Sequence, residues 1–222
     1  MNANLVSSKF QAWGTPRPFF DWLDAAFGFT VDACAEKWNA KLPRFWSPEQ
    51  NGLMQDGRGE VKFCNPEYGA VEAWVEKNVH DVKRGGTAIN LVASRVDADW
   101  FRACTEGAIG RQRRSFFSPA RVWWLVGSEM TVGIYHHPHR LWFEYPPHRA
   151  GCAWCATNDE VRAIHQRKKK PSQALFPSSV IIMDPPVGRP RIPLRKHAPR
   201  LVVDERGVDY RSLPLLSLGR PS

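Results

Sequence analysis

The sequence lacks several features that would each have assigned it to a familiar class. No apolar run approaches the length of a membrane span, and the first residues do not show the charged-then-apolar pattern of a secretory signal. No G-x-G-x-x-G loop is present to hold a dinucleotide phosphate, and no internal repeat is visible. We therefore expect a soluble, intracellular protein whose 222 residues form one domain plus an insertion or a tail.

Cysteine and acidic residues are both in short supply. The five cysteines are odd in number, which argues against a disulfide framework and favours a reducing compartment. The net charge is +9, and it is unevenly distributed along the chain. Residues 1–80 hold 8 Lys/Arg against 10 Asp/Glu, whereas residues 81–222 hold 23 against 12. A basic second half beside an acidic first half indicates a polyanionic partner, most simply nucleic acid, although solubilising charge gives the same composition.

The most informative segment runs from Phe63 to Gly69, with the sequence Phe-Cys-Asn-Pro-Glu-Tyr-Gly. An apolar strand from Val61 to Cys64 runs into this segment, and an amphipathic helix over 71–82 follows it. Ligands of open α/β sheets bind at the carboxyl ends of the strands, so we expect a site at this turn.

Three groups of this turn suit a planar ring that carries an amine. The Asn65 side-chain oxygen and the Pro66 carbonyl are two acceptors for the two amine hydrogens, and Tyr68 offers an aromatic face. Two acceptors would localise the lone pair of such a nitrogen, so positioning and electrostatics would supply the rate without a strong base. The alternative is a structural Asn-Pro turn with a packing tyrosine.

The rest of the chain predicts an abbreviated α/β domain. Thr15 is expected to cap a first helix with Pro16 at its first position, and Gly28 to end it. Only 33 positions separate Asp32 from Asn65, too few for two further βαβ units of about 30 residues each. Other elements are expected as strands at Phe29–Val31, Thr87–Ala93, 115–126, 131–135, 140–145 and Gln173–Met183, with a loop over 146–172.

Six segments occur in an order that is shared with one enzyme family: Thr15-Pro16; Val31-Asp32-Ala33-Cys34-Ala35 followed by Asn39-Ala40; the Phe63–Gly69 segment; Arg95-Val96-Asp97-Ala98-Asp99-Trp100-Phe101; Leu141-Trp142-Phe143; and Gln173-Ala174-Leu175-Phe176-Pro177-Ser178. On these segments the chain resembles the phage-type DNA N-6-adenine methyltransferase (Dam) family. The resemblance implies an α/β, Rossmann-like fold that uses S-adenosyl-L-methionine, with an abbreviated or permuted sheet and a β-rich insertion. It covers residues 13–183 with an insertion near 105–172, between a flexible leader (1–12) and a Pro/Arg-rich tail (184–222).

The resemblance also implies roles for single residues. Asn65, Pro66 and Tyr68 would hold an adenine flipped out of double-stranded DNA while its N6 is methylated. Thr15, Pro16, Asp32 and Ala33 would contact the methyl donor, with Asp32 binding either its amino group or its ribose hydroxyls. The nucleic-acid contacts are expected from Arg95, Lys168, Lys169 and Lys170. A phage or prophage origin, action in the bacterial cytoplasm and protection from restriction follow from the resemblance alone.

The sequence departs from the family at Glu67, where a second proline is usual. Two other segments compete for attention. Asp184-Pro185-Pro186-Val187 lacks an aromatic residue and is interpreted as a strand end. Cys152 and Cys155, with the upstream histidines His136, His137, His139 and His148, could supply a tetrahedral zinc site. A second Cys-x-x-Cys is missing and these histidines are irregularly spaced, so no metal is expected.

Two alternatives to the DNA enzyme stay open at this point. A methyltransferase with the same Asn-Pro-x-Tyr turn could act on RNA or on a protein glutamine amide, since an amide nitrogen poses the same lone-pair problem. A non-enzymatic nucleic-acid-binding protein, possibly stabilised by zinc, is the second. No membrane and no obligate protein partner are expected for any of them.

Overall fold

The computed structural model describes residues 12–95, 97–102, 112–114, 122–126, 130–136, 140–148, 152–168, 174 and 176–185. The expected leader lies outside the described residues except for Ala12, and so does the expected tail from residue 186 onward. Within the described ranges, no helix has the length and apolar character needed to cross a bilayer.

Within the described residues, the protein is built on a mixed sheet of seven strands with helices beside it. The strands lie in the order β1-β2-β3-β7-β6-β5-β4, in which β1, β2 and β3 are parallel and all other neighbours are antiparallel. In chain order the elements are α1 (Arg17–Phe27), β1 (Val31–Asp32), β2 (Val61–Cys64), α2 (Val71–Lys83), β3 (Thr87–Ala93), α3 (Asp99–Arg102), β4 (Gln112–Arg114), β5 (Val122–Val126), β6 (Thr131–His136), α4 (Ala153–Thr157), α5 (Asp159–His165) and β7 (Ser178–Asp184).

The elements around the Asn-Pro turn match the sequence prediction. Strand β2, helix α2 and strand β3 have the expected positions, and Gly28 ends α1 in the left-handed conformation with φ of 65°. These segments are long apolar or periodic runs bounded by glycine and proline, which is why the sequence predicts their positions.

Several expectations for other strands and loops were wrong. Residues 140–145 form no strand; Glu144 instead makes an isolated antiparallel bridge with Gly14. The loop expected over 146–172 contains the two short helices α4 and α5. The first strand is Val31–Asp32 rather than Phe29–Val31, and the last begins at Ser178 rather than Gln173. Asp184 ends β7, as interpreted from its prolines.

The expected cap of α1 was also wrong. Pro16, not Thr15, is the N-cap residue of α1, and the Pro16 side chain makes no capping hydrogen bond. Glu144, 127 positions away in the chain, caps the helix instead: its Oε1 accepts a hydrogen bond of 3.0 Å from the Arg17 amide. Its Oε2 lies 2.5 Å from Lys41 Nζ. A carboxylate at a helix N-terminus satisfies an otherwise unpaired amide and the helix dipole together.

Helices α1 and α2 cover opposite faces of the sheet. Phe19, Phe20 and Leu23 of α1 pack with Ile89 and Leu91 of β3. On the other face, α2 packs through the side chains Val71, Val75 and Val82, against Ala88, Val92, Ile181 and Met183. The alternation along β3 follows from the two-residue period of a strand.

A buried polar network fixes α2 on its face. Lys62 is fully buried, and its Nζ donates to Asn78 Oδ1 at 2.5 Å and to the Asp81 carboxylate. Asn78 Nδ2 donates in turn to Asn90 Oδ1 at 2.6 Å, so β2, α2 and β3 are joined by side chains. Burial lowers the pKa of Lys62, and its hydrogen bond to Asp81 opposes that shift.

Candidate active site

Two loops meet at the carboxyl edge of the parallel strands. Asp32 of β1 is paired with Phe63 of β2, so the segment that follows β1 lies beside the turn that follows β2. The two segments are also joined by a hydrogen bond of 2.7 Å from the Ala33 amide to the Phe63 carbonyl. The thiols of Cys34 and Cys64 lie 3.5 Å apart. Residues 33–36 and 65–68 therefore form one site despite their separation in the chain.

The carboxamide of Asn65 is held in one orientation. Its Nδ2 donates a 2.8 Å hydrogen bond to the carbonyl of Trp13, and this uses the donor end of the side chain. Among the described residues, no hydrogen bond to the Asn65 acceptor oxygen is seen, so this oxygen is available to a ligand. A 3₁₀ turn follows over Tyr68–Ala70, and it begins with a hydrogen bond from the Ala70 amide to the Glu67 carbonyl. Glu67 is the residue after Pro66. That Asn65 Oδ1 and the Pro66 carbonyl both accept from a ligand stays a prediction.

Tyr68 is partly buried beside this turn. Burial raises the pKa of its phenol, so the ring stays neutral at physiological pH. Neither Tyr68 nor Pro66 lines the cavity that lies between the Asn65 turn and residues 34–36. Their contact with a flipped base stays a prediction.

A cavity of about 210 Å³ lies between the two loops. Asn65 and Glu67 line it from one side, and Cys34, Ala35 and Glu36 from the other. Its aromatic walls are Trp13, Trp46 and Trp74. Among the described residues that line it, Glu36 and Glu67 carry charge and no lysine, arginine or histidine does. The cavity is thus aromatic and acidic, which favours a cationic ligand.

The two carboxylates influence each other. Burial raises the pKa of Glu36, and the nearby charge of Glu67 raises it further. A cation placed between them would relieve both the desolvation and the repulsion.

A larger cleft of about 1380 Å³ adjoins this cavity, since Glu36, Ser47 and Pro48 line both. One wall of the cleft comes from the loop that contains Trp38 and Arg44, and the other from Pro146, Cys152 and Trp154. Segments that lie far apart in the chain therefore enclose it.

Asp32 is bound to the protein's own backbone. Its Oδ2 accepts a 3.0 Å hydrogen bond from the Lys41 amide, and its backbone pairs with Arg44 and Trp46. Burial raises its pKa to about 6, against the effect of the backbone hydrogen bond from Lys41. Asp32 does not line the cavity. It holds the loop that follows β1, and the first part of that loop, Cys34 to Glu36, lines the cavity. Its contact with a methyl donor stays a prediction.

The other residues expected to contact the donor or DNA are placed around this edge. Thr15 is buried, and neither it nor Pro16 or Ala33 lines the cavity. Arg95 follows β3 at the same edge, with its guanidinium 2.9 Å from Asp97 and stacked over Phe176. Lys168 is exposed after α5, whereas Lys169 and Lys170 lie outside the described residues.

Asp184-Pro185 lies at the other edge of the sheet. Asp184 accepts a 3.0 Å hydrogen bond from Thr87, the first residue of β3, whereas Asn65 follows the last residue of β2. The Asp184-Pro185 segment and the Asn65 turn therefore lie at opposite edges of the sheet.

Some residues of interest were missed from the sequence. Trp13, which orients Asn65, and Glu36, which lines the cavity, lie in segments without a chemical motif. His165 lies with His148, Cys152 and Cys155 in a cluster of potential metal ligands. Only His165 of this cluster was missed from the sequence, because it lies 10 positions after Cys155, whereas the histidines that were considered precede the cysteines.

Comparison with known proteins agrees with the geometry. Residues 2–122 match the model of a family described as DNA N-6-adenine-methyltransferase (Dam). A DNA N-6-adenine-methyltransferase of Haemophilus phage HP1 is 29% identical over 109 residues, which are 48% of this chain and 63% of that relative. The chain thus aligns with less than two thirds of the relative's length. Because the family model matches more than half of the chain, including the Asn65 turn, the chain belongs to the DNA N-6-adenine-methyltransferase (Dam) family.

Proposed function

We propose that this protein is a DNA methyltransferase that transfers a methyl group from S-adenosyl-L-methionine to the N6 amine of adenine in double-stranded DNA. The observation that carries the proposal is the oriented Asn65 acceptor beside an acidic, aromatic cavity at the carboxyl ends of parallel strands. The same edge is where open α/β sheets bind ligands, so we also propose a Rossmann-like methyltransferase fold with an abbreviated sheet.

The cavity suits the charged end of the methyl donor. When bound, S-adenosyl-L-methionine supplies an electrophilic methyl on a positively charged sulfur. Glu36 and Glu67 complement that charge, and the tryptophan faces add a cation–π attraction. The cavity is smaller than the roughly 300 Å³ of typical ligand sites. The remainder of the donor would therefore occupy the adjoining cleft beyond Glu36 and Ser47.

The residues of the turn act on the adenine amine. Asn65 Oδ1 and the Pro66 carbonyl accept its two N–H groups, which shifts the nitrogen lone pair out of conjugation with the ring. Tyr68, neutral because burial raises its pKa, stacks on the base. Attack of N6 forms the N–CH₃ bond as the S–CH₃ bond breaks, and the surplus proton of N6 leaves to water. Adenine must be flipped from the duplex to reach this turn.

Double-stranded DNA is the proposed partner because the basic charge lies in the second half of the chain. A role in protecting phage or prophage DNA from restriction in a bacterial host is proposed from the family membership and the phage relative.

The test is incubation of the purified protein with labelled S-adenosyl-L-methionine and unmethylated duplex DNA, followed by nucleoside analysis. We expect labelled N6-methyladenine, and a loss of at least about 100-fold in the Asn65→Ala variant, the scale of removing one oriented transition-state acceptor. Glu76→Ala, which changes an exposed residue of α2, serves as the matched control.

The outcomes separate the alternatives. Label found only in RNA or in protein would contradict the DNA substrate. Full activity of Asn65→Ala would contradict the role of the turn. Donor binding without transfer to any acceptor would favour a non-enzymatic protein.

A further inference from the structure

We infer that His148, Cys152, Cys155 and His165 form a structural zinc site. The four residues each offer one ligand atom, and these atoms all lie within 4.8 Å of one another. Two imidazoles and two thiols form the donor set that zinc takes in closed structural sites. The cluster lies beyond residue 122, where the match to the family model ends.

The distances between the donor atoms scatter around the edges of a tetrahedron about one ion. His148 Nδ1 lies 3.2 Å from His165 Nδ1, and Cys155 Sγ lies 2.9 Å and 3.8 Å from the His165 and His148 Nδ1 atoms. Cys152 Sγ lies 3.9 Å from His165 Nδ1. Zinc bonds of about 2.0 Å to nitrogen and 2.3 Å to sulfur give tetrahedron edges of about 3.3 Å between nitrogens and 3.5 Å between nitrogen and sulfur.

A hydrogen bond fixes which nitrogen of His165 faces the cluster as a ligand. Its Nε2 lies 2.7 Å from the carbonyl of Pro146, and a carbonyl only accepts. Nε2 therefore carries the proton, and the Nδ1 lone pair points toward the two sulfurs and His148. Histidine ligands of metals commonly donate their other N–H in this way.

The local fold brings the ligands together from short elements. Cys152 precedes α4 and Cys155 lies within it, joined by a 3.1 Å bond from the Cys155 amide to the Cys152 carbonyl. Asn158 caps α5 by accepting from two amides, and His165 is the last residue of that helix. Helices of five and seven residues are too short to be stable alone, so a metal that joins them stabilises the fold.

The site is structural because four protein ligands complete the coordination of zinc and leave no position for a substrate. It also stabilises one wall of the large cleft. Trp154, between the two cysteines, packs edge-on against Trp38 with ring centres 6.5 Å apart, and Cys152 lines the cleft itself.

The test is metal analysis of the full chain, purified without chelators or metal-affinity steps. We expect about one zinc per chain, released by a strong chelator with a fall in the midpoint of thermal unfolding. Replacement of zinc by Co²⁺ should give the visible absorption of a tetrahedral site with thiolate ligands. This measurement on the wild type needs no variant to fold.

The variants Cys155→Ala and His165→Ala should each lose the zinc. Cys34→Ala and His80→Ala are the matched controls and should keep it, since neither belongs to the cluster. Wild-type protein that contains no zinc and gives no Co²⁺ spectrum would overturn the inference. Loss of zinc in Cys34→Ala, with retention in Cys155→Ala, would move the metal to the Cys34 and Cys64 thiols and overturn it too. A metal-free protein with a Cys152–Cys155 disulfide in a reducing buffer would also overturn the inference.

Discussion

Glu67 follows Pro66 in the turn where the family resemblance leads one to expect a second proline, and its side chain lines the cavity that also holds Glu36. Because the proposed donor is a cation at sulfur, this carboxylate adds attraction rather than rigidity to the site. Its exposure limits the attraction to the scale of surface ion pairs.

We expect Glu67→Gln to raise the Kd for S-adenosyl-L-methionine about two- to five-fold. The Kd for S-adenosylhomocysteine should change less, because its sulfur is uncharged. Isothermal titration of both ligands measures the difference, with Glu76→Gln as a control on the exposed face of α2. An equal loss for the two ligands would show that Glu67 contacts another part of the donor.

Asp32 shows how burial alone can make stability depend on pH. Its folded pKa of about 6 lies above the ordinary value of 3.8, so between these values the folded state binds the proton more tightly than the unfolded chain. Burying the ionised carboxylate therefore destabilises the protein above pH 6, by up to about 3 kcal/mol, and this effect disappears below about pH 4.

The Asp32→Asn variant should remove this titration. The free energy of unfolding of the variant, minus that of the wild type, should rise from pH 4 to pH 7 by up to about 3 kcal/mol and then level off. Urea unfolding at each pH measures it. The difference cancels other carboxylates, such as Asp56, whose depressed pKa gives the opposite slope. A difference independent of pH would mean that Asp32 titrates normally.

At the scale of elements, helix α1 depends on a residue from the far half of the chain. Glu144 caps the Arg17 amide and pairs with the buried side chain of Lys41, while its backbone bridges to Gly14. We expect Glu144→Ala to lower the free energy of unfolding by about 1–2 kcal/mol, as for other lost caps. Glu144→Gln should lose less, because an amide oxygen still accepts from Arg17.

Denaturant titration of the two Glu144 variants, with Glu76→Ala as an exposed control, measures this order. If Glu144→Gln lost as much as Glu144→Ala, the ion pair with Lys41 and not the cap would carry the stability.

How far the sequence determines these elements depends on how local their causes are. Strand β2, helix α2 and the Asn65 turn were predictable because apolar periodicity and turn residues lie within the segments themselves. The cap from Glu144 was not, since it joins residues 127 positions apart. The helices α4 and α5 were missed because their proposed ligands, rather than an apolar stripe, bring them together. The buried Lys62 was missed because its partners lie on another helix.

At the scale of the whole molecule, the parallel strands separate a carboxyl edge from an amino edge. Asn65 and Arg95 follow the carboxyl ends of β2 and β3, whereas Arg58, Lys83 and Arg84 precede the amino ends of the same strands. The run Lys168–Lys170 follows His165, which is held to Pro146 at the wall of the cleft. DNA that reaches Asn65 should therefore pass the carboxyl edge and Lys168, the described residue of this run.

We expect DNA affinity to fall steeply with salt, since each phosphate contact contributes about 0.9 to the slope of log K against log salt concentration. Replacing Lys168, Lys169 and Lys170 by alanine should reduce that slope by about two to three. Replacing Arg58, Lys83 and Arg84 removes the same charge from the opposite edge and should leave it unchanged. Fluorescence anisotropy with a labelled duplex at several salt concentrations measures both. Equal slopes for the two triple variants would place the phosphate contacts elsewhere, because net charge alone does not distinguish the edges.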